Sequence, residues 1–248
     1  MQYINWSMSV KMTDAYVVFD LETTGINPNS DCIIEIGAIK IIGNKVQEVY
    51  KTYVNPQMKV PYRITNLTGI TDDMVSDGRS NKEAVEEFIH FCDGYTLLGH
   101  NIGFDYGFIK KSAIGYRIPF HKMGIDTLKI ARKTLSHIEK RNLGYLCEYY
   151  HIEQRAKHRA YEDALSTKEV YDNLVNDFYR VNKGLFLPEI LLFKEKKNSP
   201  ITKLQKVYLN DLLKYHKIEL EEDVDTFTKS EASKRIDYII LNYGRINR

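Results

Sequence analysis

Four carboxylates and one imidazole stand in frames that could do chemistry together. Asp20 and Glu22 lie in Tyr16-Val-Val-Phe-Asp-Leu-Glu-Thr-Thr-Gly25. Asp105 closes Gly99-His-Asn-Ile-Gly-Phe-Asp105, and His158 and Asp163 bracket His158-Arg-Ala-Tyr-Glu-Asp163. Each has an ordinary reading in isolation. An Asp-x-Glu at a strand end is usually solvated, an Asp at a helix start complements the helix dipole, and a loop His is usually surface. Together they imply a different chemistry. Residues two apart on a strand point to the same face, so Asp20 and Glu22 project side by side. Two like charges that close raise the cost of ionising both, and a cation that accepts oxygen ligands removes that cost. Carboxylates without a nearby Cys or His ligand pair favour a hard ion, Mg²⁺ or Mn²⁺, over zinc.

The elements that must position these groups can be read from periodicity. Tyr16 to Leu21 is apolar and rich in β-formers, and Thr23, Thr24 and Gly25 end it, which predicts a short buried strand and a turn. Strands are expected over 32–42 and 45–53, joined by a tight hairpin at Gly43-Asn44, and again near 96–98 and 123–126. Helices are expected near 81–92 and 104–114 and then on to Tyr179. Ala160, Ala164, Thr167, Tyr171, Leu174 and Phe178 repeat at helical spacing as a core face, with Asp163 at its edge and His158 on the loop before it. Asp126 reads as the N-cap of the next helix. Antiparallel strands followed by alternating helices and strands imply an α/β fold with a mixed sheet and helices on both faces.

In these frames the chain resembles the DEDDh 3′→5′ exonucleases, the group that includes the proofreading subunit of bacterial replicative polymerases and RNase T. All five lettered residues occur in order, and the likeness spans roughly the first three quarters of the chain. It extends to Ile33-Ile-Glu-Ile-Gly-Ala-Ile39, to Ile64-Thr-Asn-Leu-Thr-Gly-Ile-Thr71 and to Asp126-Thr-Leu128. Ile102 stands where an alanine is common, and Asn66-Leu67 replaces a frequent His. The resemblance implies an RNase H-like fold and a two-metal site, in which cations roughly 3.5–4 Å apart clamp the attacking and leaving oxygens of a displacement at phosphorus. It implies Asp20 bridging both ions, Glu22 and Asp163 completing the first, Asp105 serving the second, and His158 taking a proton from water. An imidazole with an ordinary pKa near 6.5 suits that role. Thr23, Thr24 and Gly25 are expected against the terminal nucleotide, Asn101 and Phe104 against the second, and Leu67 as a wedge at a base. Expected partners are therefore the 3′ ends of nucleic acid, single-stranded DNA first, together with replication or repair proteins. The alternatives are an exoribonuclease, a polymerase-associated proofreading subunit, or a non-catalytic module that grips ends.

Composition narrows the class further. Lys+Arg number 35 against 33 Asp+Glu, so no global basic field marks the chain. Lys129, Arg132, Lys133, Lys140 and Arg141 form a local basic cluster, with phosphate contact and a solvated face as equal readings. Cys32, Cys92 and Cys147 fit neither a disulfide framework nor a zinc site and suggest buried thiols in a reducing compartment. Met1 to Asp14 lacks an apolar targeting core and no long apolar run exists. These features predict a cytoplasmic protein with no membrane partner and no small-molecule cofactor beyond metal. Organisation is expected as an exonuclease domain over 1–182, a linker over 183–200 and a small helical module over 201–248. In the module, Thr202-Lys-Leu-Gln205 and Thr228-Lys-Ser-Glu231 read as capping boxes. They open runs with Leu204, Tyr208, Leu212 and Tyr215 on one face and Ala232, Ile236, Ile239 and Tyr243 on another.

Overall fold

Alternation along one central strand divides the molecule into two cores. The computed structural model describes residues 14–154, 156–193, 199–220 and 222–246. In β1 (Ala15–Thr23), Val17, Phe19 and Leu21 enter one core, while Tyr16 and Val18 enter the other. Asp20 and Glu22 continue the second set, so the acids lie on the same side of the sheet as Tyr16 and Val18. The strand runs two residues beyond the expected end, because Glu22 and Thr23 stay paired with β2 (Ile33–Ile42) across a bulge. Gly43 and Asn44, with φ of 57° and 63°, make a two-residue turn into β3 (Lys45–Tyr53). Positive φ at both positions is what a primed hairpin turn demands.

The remaining elements wrap this sheet. They are α1 (Tyr62–Thr68), α2 (Asp72–Ser76), α3 (Asn81–Phe91), β4 (Thr96–Gly99), α4 (Gly103–Gly115), β5 (Met123–Asp126), α5 (Thr127–Thr134), α6 (Leu143–Tyr149), α7 (Ala160–Phe178) and β6 (Glu189–Ile190). The six strands lie in the order β3-β2-β1-β4-β5-β6, with β1–β4 and β4–β5 parallel and the other pairs antiparallel. Helices α3 and α4 cover one face through Phe88, Tyr106 and Ile109. Helices α5, α6 and α7 cover the other through Ile130, Leu146, Tyr171 and Leu174. The mixed sheet with helices on both faces is the α/β, RNase H-like architecture expected. Its strands β1 and β4 are parallel neighbours, so their carboxyl ends meet at one edge, where ligand sites form in α/β sheets.

Three further expectations differ from what the fold contains. Residues 183–190 were expected to begin a linker, but they form a 3₁₀ turn (Lys183–Phe186) and β6 on the sheet edge. Phe186 is fully buried in the second core, and Leu191 and Phe193 pack on the first. Apolar burial ties this stretch down despite its turn-rich sequence. The polar segment from Lys194 to Asn198 lies outside the described residues, as do Met1 to Thr13, on which the targeting expectation rests. Beyond it, α8 (Lys203–His216) and α9 (Lys229–Tyr243) open with the two capping boxes. Their core is Leu209, Leu212, Phe227, Ala232, Ile236 and Ile239. The face of α8 is rotated from the expected one, with Leu204, Tyr208 and Tyr215 exposed. The side carrying Gln205, Leu209 and Leu212 meets α9 instead, where the Gln205 amide donates to Ser233 Oγ at 2.8 Å. On α9, Tyr243 is exposed while the other three expected residues are buried. Cys92 and Cys147 are buried thiols, and among the described residues no helix is long and apolar enough to cross a membrane.

Gly37 controls how close α7 comes to the strand that carries the acids. It pairs with Asp20 in the register of β1 and β2. A Cβ built there would lie 2.1 Å from the Tyr161 backbone nitrogen and 2.3 Å from the Ala160 carbonyl carbon. Backbone cannot yield as a side-chain tip does. Gly37→Ala is therefore expected to destabilise the protein by at least about 1–3 kcal/mol, the usual range for overpacking, read as a lowered urea midpoint. An unchanged midpoint would show that α7 has slack the structure does not suggest.

Candidate active site

The acids converge because three elements end or begin at the same sheet edge. Asp20 and Glu22 hang from the last turn of pleat in β1. Asp105 sits in the first turn of α4, buried, where its carboxylate accepts the Leu21 N–H at 3.1 Å. Asp163 sits in the first turn of α7, also buried, and accepts the His158 N–H at 3.0 Å. His158 is exposed and has a left-handed backbone, φ 58°, which a non-glycine residue adopts only when its surroundings hold it. Its bond to Asp163 is one such restraint.

Helix α7 is held against the sheet by Glu35, a buried acid in the middle of the apolar β2. Its carboxylate accepts the Ala160 N–H at 3.0 Å and two bonds from the Arg159 guanidinium, at 2.8 and 3.2 Å. Arg159 also donates to the Tyr53 hydroxyl. One carboxylate thus caps a helix and fixes the residue next to His158. A comparable device fixes the Gly-His-Asn turn. Asp126 caps α5 through Leu128 N–H and Lys129 N–H, as expected, and accepts the Asn101 N–H at 2.9 Å as well. Asn101 has φ 64°, so this turn too is held in the left-handed region.

A cleft of about 650 Å³ opens over these groups. Asp20, Glu22, Asp105, His158 and Asp163 all line it, with Asn101 and Phe104. The ligating atoms of Glu22, His158 and Asp163 lie within 4.8 Å of one another. Burial and mutual repulsion act on the carboxyls in the same direction. Asp20 is pushed well above the usual carboxylate range by burial first, then by Asp105, Asp163, Glu22 and Glu35. Glu22 rises to about 8 from burial and from Asp163 and Glu35. Asp105 rises to about 8 from burial, against its backbone hydrogen bonds. Asp163 rises to about 6 from burial, against the pull of His158. Four carboxyls that resist ionisation line this cleft with one imidazole, and Glu22, His158 and Asp163 bring their ligating atoms together, a donor set suited to a hard divalent cation.

The other expected contacts divide between this cleft and a second one. Thr23, Gly25, Leu67 and Phe104 line a neighbouring cleft of about 1230 Å³. Thr24 lines neither: it is fully buried, and its hydroxyl accepts the Cys32 N–H at 2.9 Å. Its task is to close the loop after β1. Gly25 also has a local reason, since a Cβ there would sit 2.5 Å from the Asp31 carboxyl. Within the basic cluster, Lys129 pairs with Glu189 and the Arg141 guanidinium donates to the Leu135 and Ser136 carbonyls. Lys140 lines the first cleft. Two residues escaped the sequence reading. Glu35 could have been flagged as the one acid in an otherwise mostly apolar strand. His100 lines the first cleft, with Nδ1 2.9 Å from Thr127 Oγ1 and burial pushing its pKa down to about 4, so it stays neutral near pH 7.

Comparison with known proteins agrees with this geometry. A family model described as exonuclease matches residues 17–171. The PolC-type DNA polymerase III of Caldanaerobacter subterraneus subsp. tengcongensis is 36% identical over 166 residues, which cover 67% of this chain and 12% of the polymerase. The PolC-type enzyme of Clostridium perfringens is 34% identical over 183 residues, 74% of this chain and 12% of its own length. The chain thus spans about an eighth of the curated relatives it matches. Among solved structures, E. coli exonuclease I with single-stranded DNA superposes with a TM-score of 0.62 at 20% identity, covering 70% of this chain and 43% of that one. The nuclease domain of 3′hExo, a DEDDh member bound to rAMP, gives 0.57 at 19% identity, covering 66% and 93%. At these identities the superpositions speak for the fold.

The raised carboxyl values fix a pH dependence. A carboxyl whose folded pKa exceeds its unfolded value of about 4 binds more protons when folded, so stability falls as pH rises through the window up to the folded value. For Glu22 and Asp105 that window extends to about 8, and for Asp163 to about 6. Metal-free protein is expected to lose thermal stability from about pH 5 to pH 8, and saturating Mn²⁺ to restore more of it at the upper end. Melting curves with chelator and with Mn²⁺ at both pH values check this. Equal stabilisation by the ion at both would contradict a site loaded in exchange for protons.

Proposed function

Since the chain belongs to the DEDDh family of 3′→5′ exonucleases and is a hydrolase of that class, we propose that its substrate is the 3′ end of single-stranded DNA. It hydrolyses the terminal phosphodiester there and releases nucleoside 5′-monophosphates. The observation that carries this reading is the convergence of Asp20, Glu22, Asp105, His158 and Asp163 on one cleft. Asp20, Glu22, Asp105 and Asp163 would hold two divalent cations, Mg²⁺ or Mn²⁺. Bound there, the ions supply neutralisation of the charge that builds on the phosphoryl oxygens and activation of water.

The chain's own groups do the rest. His158 accepts a proton from the attacking water, and its exposure leaves the ring free to reach the cleft. Asp163 orients it through the backbone bond just described, so a ligand carboxylate and the base share one anchor. Phe104 and the exposed Leu67 offer apolar faces to bases, and stacking of that kind tolerates any sequence. Thr23, Gly25 and Asn101 border the two clefts where the last nucleotides would lie. The PolC-type relatives favour a second reading, in which the chain trims 3′ ends beside a replicative polymerase in the cytoplasm. Co-purification with replicase subunits tests that association.

Asp20→Ala is expected to remove metal-dependent nucleotide release from end-labelled single-stranded DNA, with the fold retained by circular dichroism. Parallel duplex DNA and RNA substrates, each with Mg²⁺, Mn²⁺ or chelator, rank the substrates, and faster release from RNA would make it an exoribonuclease. Full activity of the Asp20 variant would dismiss the metal assignment. His158→Ala should lower the rate by about 10²–10⁴-fold, the usual worth of a general base, while the affinity for Mn²⁺ changes little. Undiminished turnover would exclude His158 as the base.

A further inference from the structure

We propose that the C-terminal helix pair walls a second cleft that holds the DNA strand upstream of the nucleotide being removed. This rests on the exonuclease reading but concerns a wall contributed by residues outside the matched family region, 17–171. The cleft, about 1230 Å³, lies between the nuclease and α8–α9, and exceeds the roughly 300–1,000 Å³ of small-molecule sites. Leu21, Glu22 and Phe104 line both this cleft and the one over the acids, so the two are continuous. A strand whose last phosphodiester reached the carboxylates would have its next nucleotides in the second cleft.

The two walls are chemically different in the way a single strand requires. The nuclease wall carries the open apolar groups, beside the polar Asn27, Asn29 and Arg63: Ile26, Leu67 and Leu192 are 83%, 53% and 74% exposed, and the rings of Phe104 and Phe193 stand beside them. Exposed apolar groups gathered in one place mark a binding surface more often than chance solvation, and aromatic rings in a groove stack bases whatever their identity. The opposite wall, from the module, is polar and basic, with Gln205, Lys229, Ser233 and Lys234. Lys229 is exposed, and among the described residues no acid lies in ion-pair distance of it. Its position at the first residue of α9 adds the positive end of the helix dipole behind it. Bases would face the first wall and phosphates the second.

The module is fastened to the loop that follows the first two acids. Lys234 Nζ lies 2.6 Å from the Asp31 carboxylate and donates to the Ser30 carbonyl, and the Ser30 and Ser230 hydroxyls are 2.9 Å apart. Arg63 on α1 pairs with Asp237 on α9 at 3.3 Å. Asp31 is the hub, since the same carboxylate packs on Gly25 and accepts the Asn27 N–H. The wall is therefore built onto the loop that borders the acids.

The test compares a thymidine dinucleotide with a thymidine oligonucleotide of about 16 nucleotides, the upper end of single-strand site sizes. Lys229→Glu lies on an exposed first turn that tolerates an acid, so folding is not at stake. It is expected to raise KM for the longer strand about tenfold and to reduce its salt slope by about one, as loss of a phosphate contact does. KM for the dinucleotide should rise less than twofold. Fluorescence anisotropy of the labelled longer strand in chelator reads the cleft without turnover and should weaken in parallel. Lys234→Ala, which loosens the docking, should move the longer strand in the same direction. Equal effects on both substrates, no effect on either, or tighter binding of the longer strand would overturn the proposal. Weakened binding without hydrolysis of either strand by the unaltered chain would keep the cleft and reject the exonuclease reading. Dinucleotide hydrolysis with unaltered binding would do the reverse.

Discussion

Crowding of like charge at the end of β1 is the constraint that everything around it answers. A carboxylate brought near three others and away from water loses hydration and gains repulsion, and both raise the cost of ionisation. The fold does not remove that cost. It offsets part of it with backbone donors, Leu21 N–H to Asp105 and His158 N–H to Asp163, and with the favourable ends of helices, since Asp105 and Asp163 lie in first turns. Each such term contributes about 0.5–1.5 kcal/mol, less than the loss of hydration, with repulsion added, that raises these carboxyls. The remainder is carried by the two cores flanking the sheet, whose burial of Phe19, Phe88, Tyr106 and Tyr171 is independent of the site. That separation lets a site be electrostatically strained while the fold stays intact, and the stored imbalance is what a cation relieves.

Placement of the strain depends on how near α7 can come to β1. Two residues of β2 decide this from opposite directions. Gly37 opens space by having no side chain, directly opposite Asp20. Glu35, two residues earlier and on the same face, pulls the helix in by capping Ala160 and clamping Arg159. A fifth acid beside the four carboxyls therefore acts structurally, and its own guanidinium offsets part of the repulsion it exerts on Glu22. A bidentate guanidinium suits this task because it satisfies both carboxylate oxygens in one plane.

Much of the site was legible in the sequence because its residues sit in local frames that announce themselves. The β-rich run before Thr-Thr-Gly, the Asp126 cap and the two capping boxes all depend on short-range chemistry, and each formed, the strand running two residues further than read. What escaped depends on long-range packing. The reason for Gly25 is Asp31, six residues on, and the reason for Gly37 is a helix more than a hundred residues away. Residues 183–193 looked like linker because their turn signals are local, whereas the burial of Phe186 against Tyr171 and Tyr179 is not. The rotated face of α8 has the same origin. Leu204, Tyr208, Leu212 and Tyr215 make as good a stripe as Gln205, Leu209 and Leu212, and only the position of α9 chooses between them.

That choice bears on the site itself. With Gln205 turned inward to Lys229 and Ser233, the first turns of α8 and α9 are tied together on the side facing the nuclease. The same turns present Lys229, Ser230 and Lys234 to the loop after β1. Had the expected stripe been buried, Gln205 would have turned away from Lys229 and Ser233 and the two first turns would have lost this tie. Lys234 in turn answers Asp31, whose side chain is almost wholly buried against Gly25 and would without it be a lone charge with little water around it, an arrangement that costs several kcal/mol. The loop bordering the first two acids is thus built to be completed by the helix pair, and the two parts share one electrostatic account.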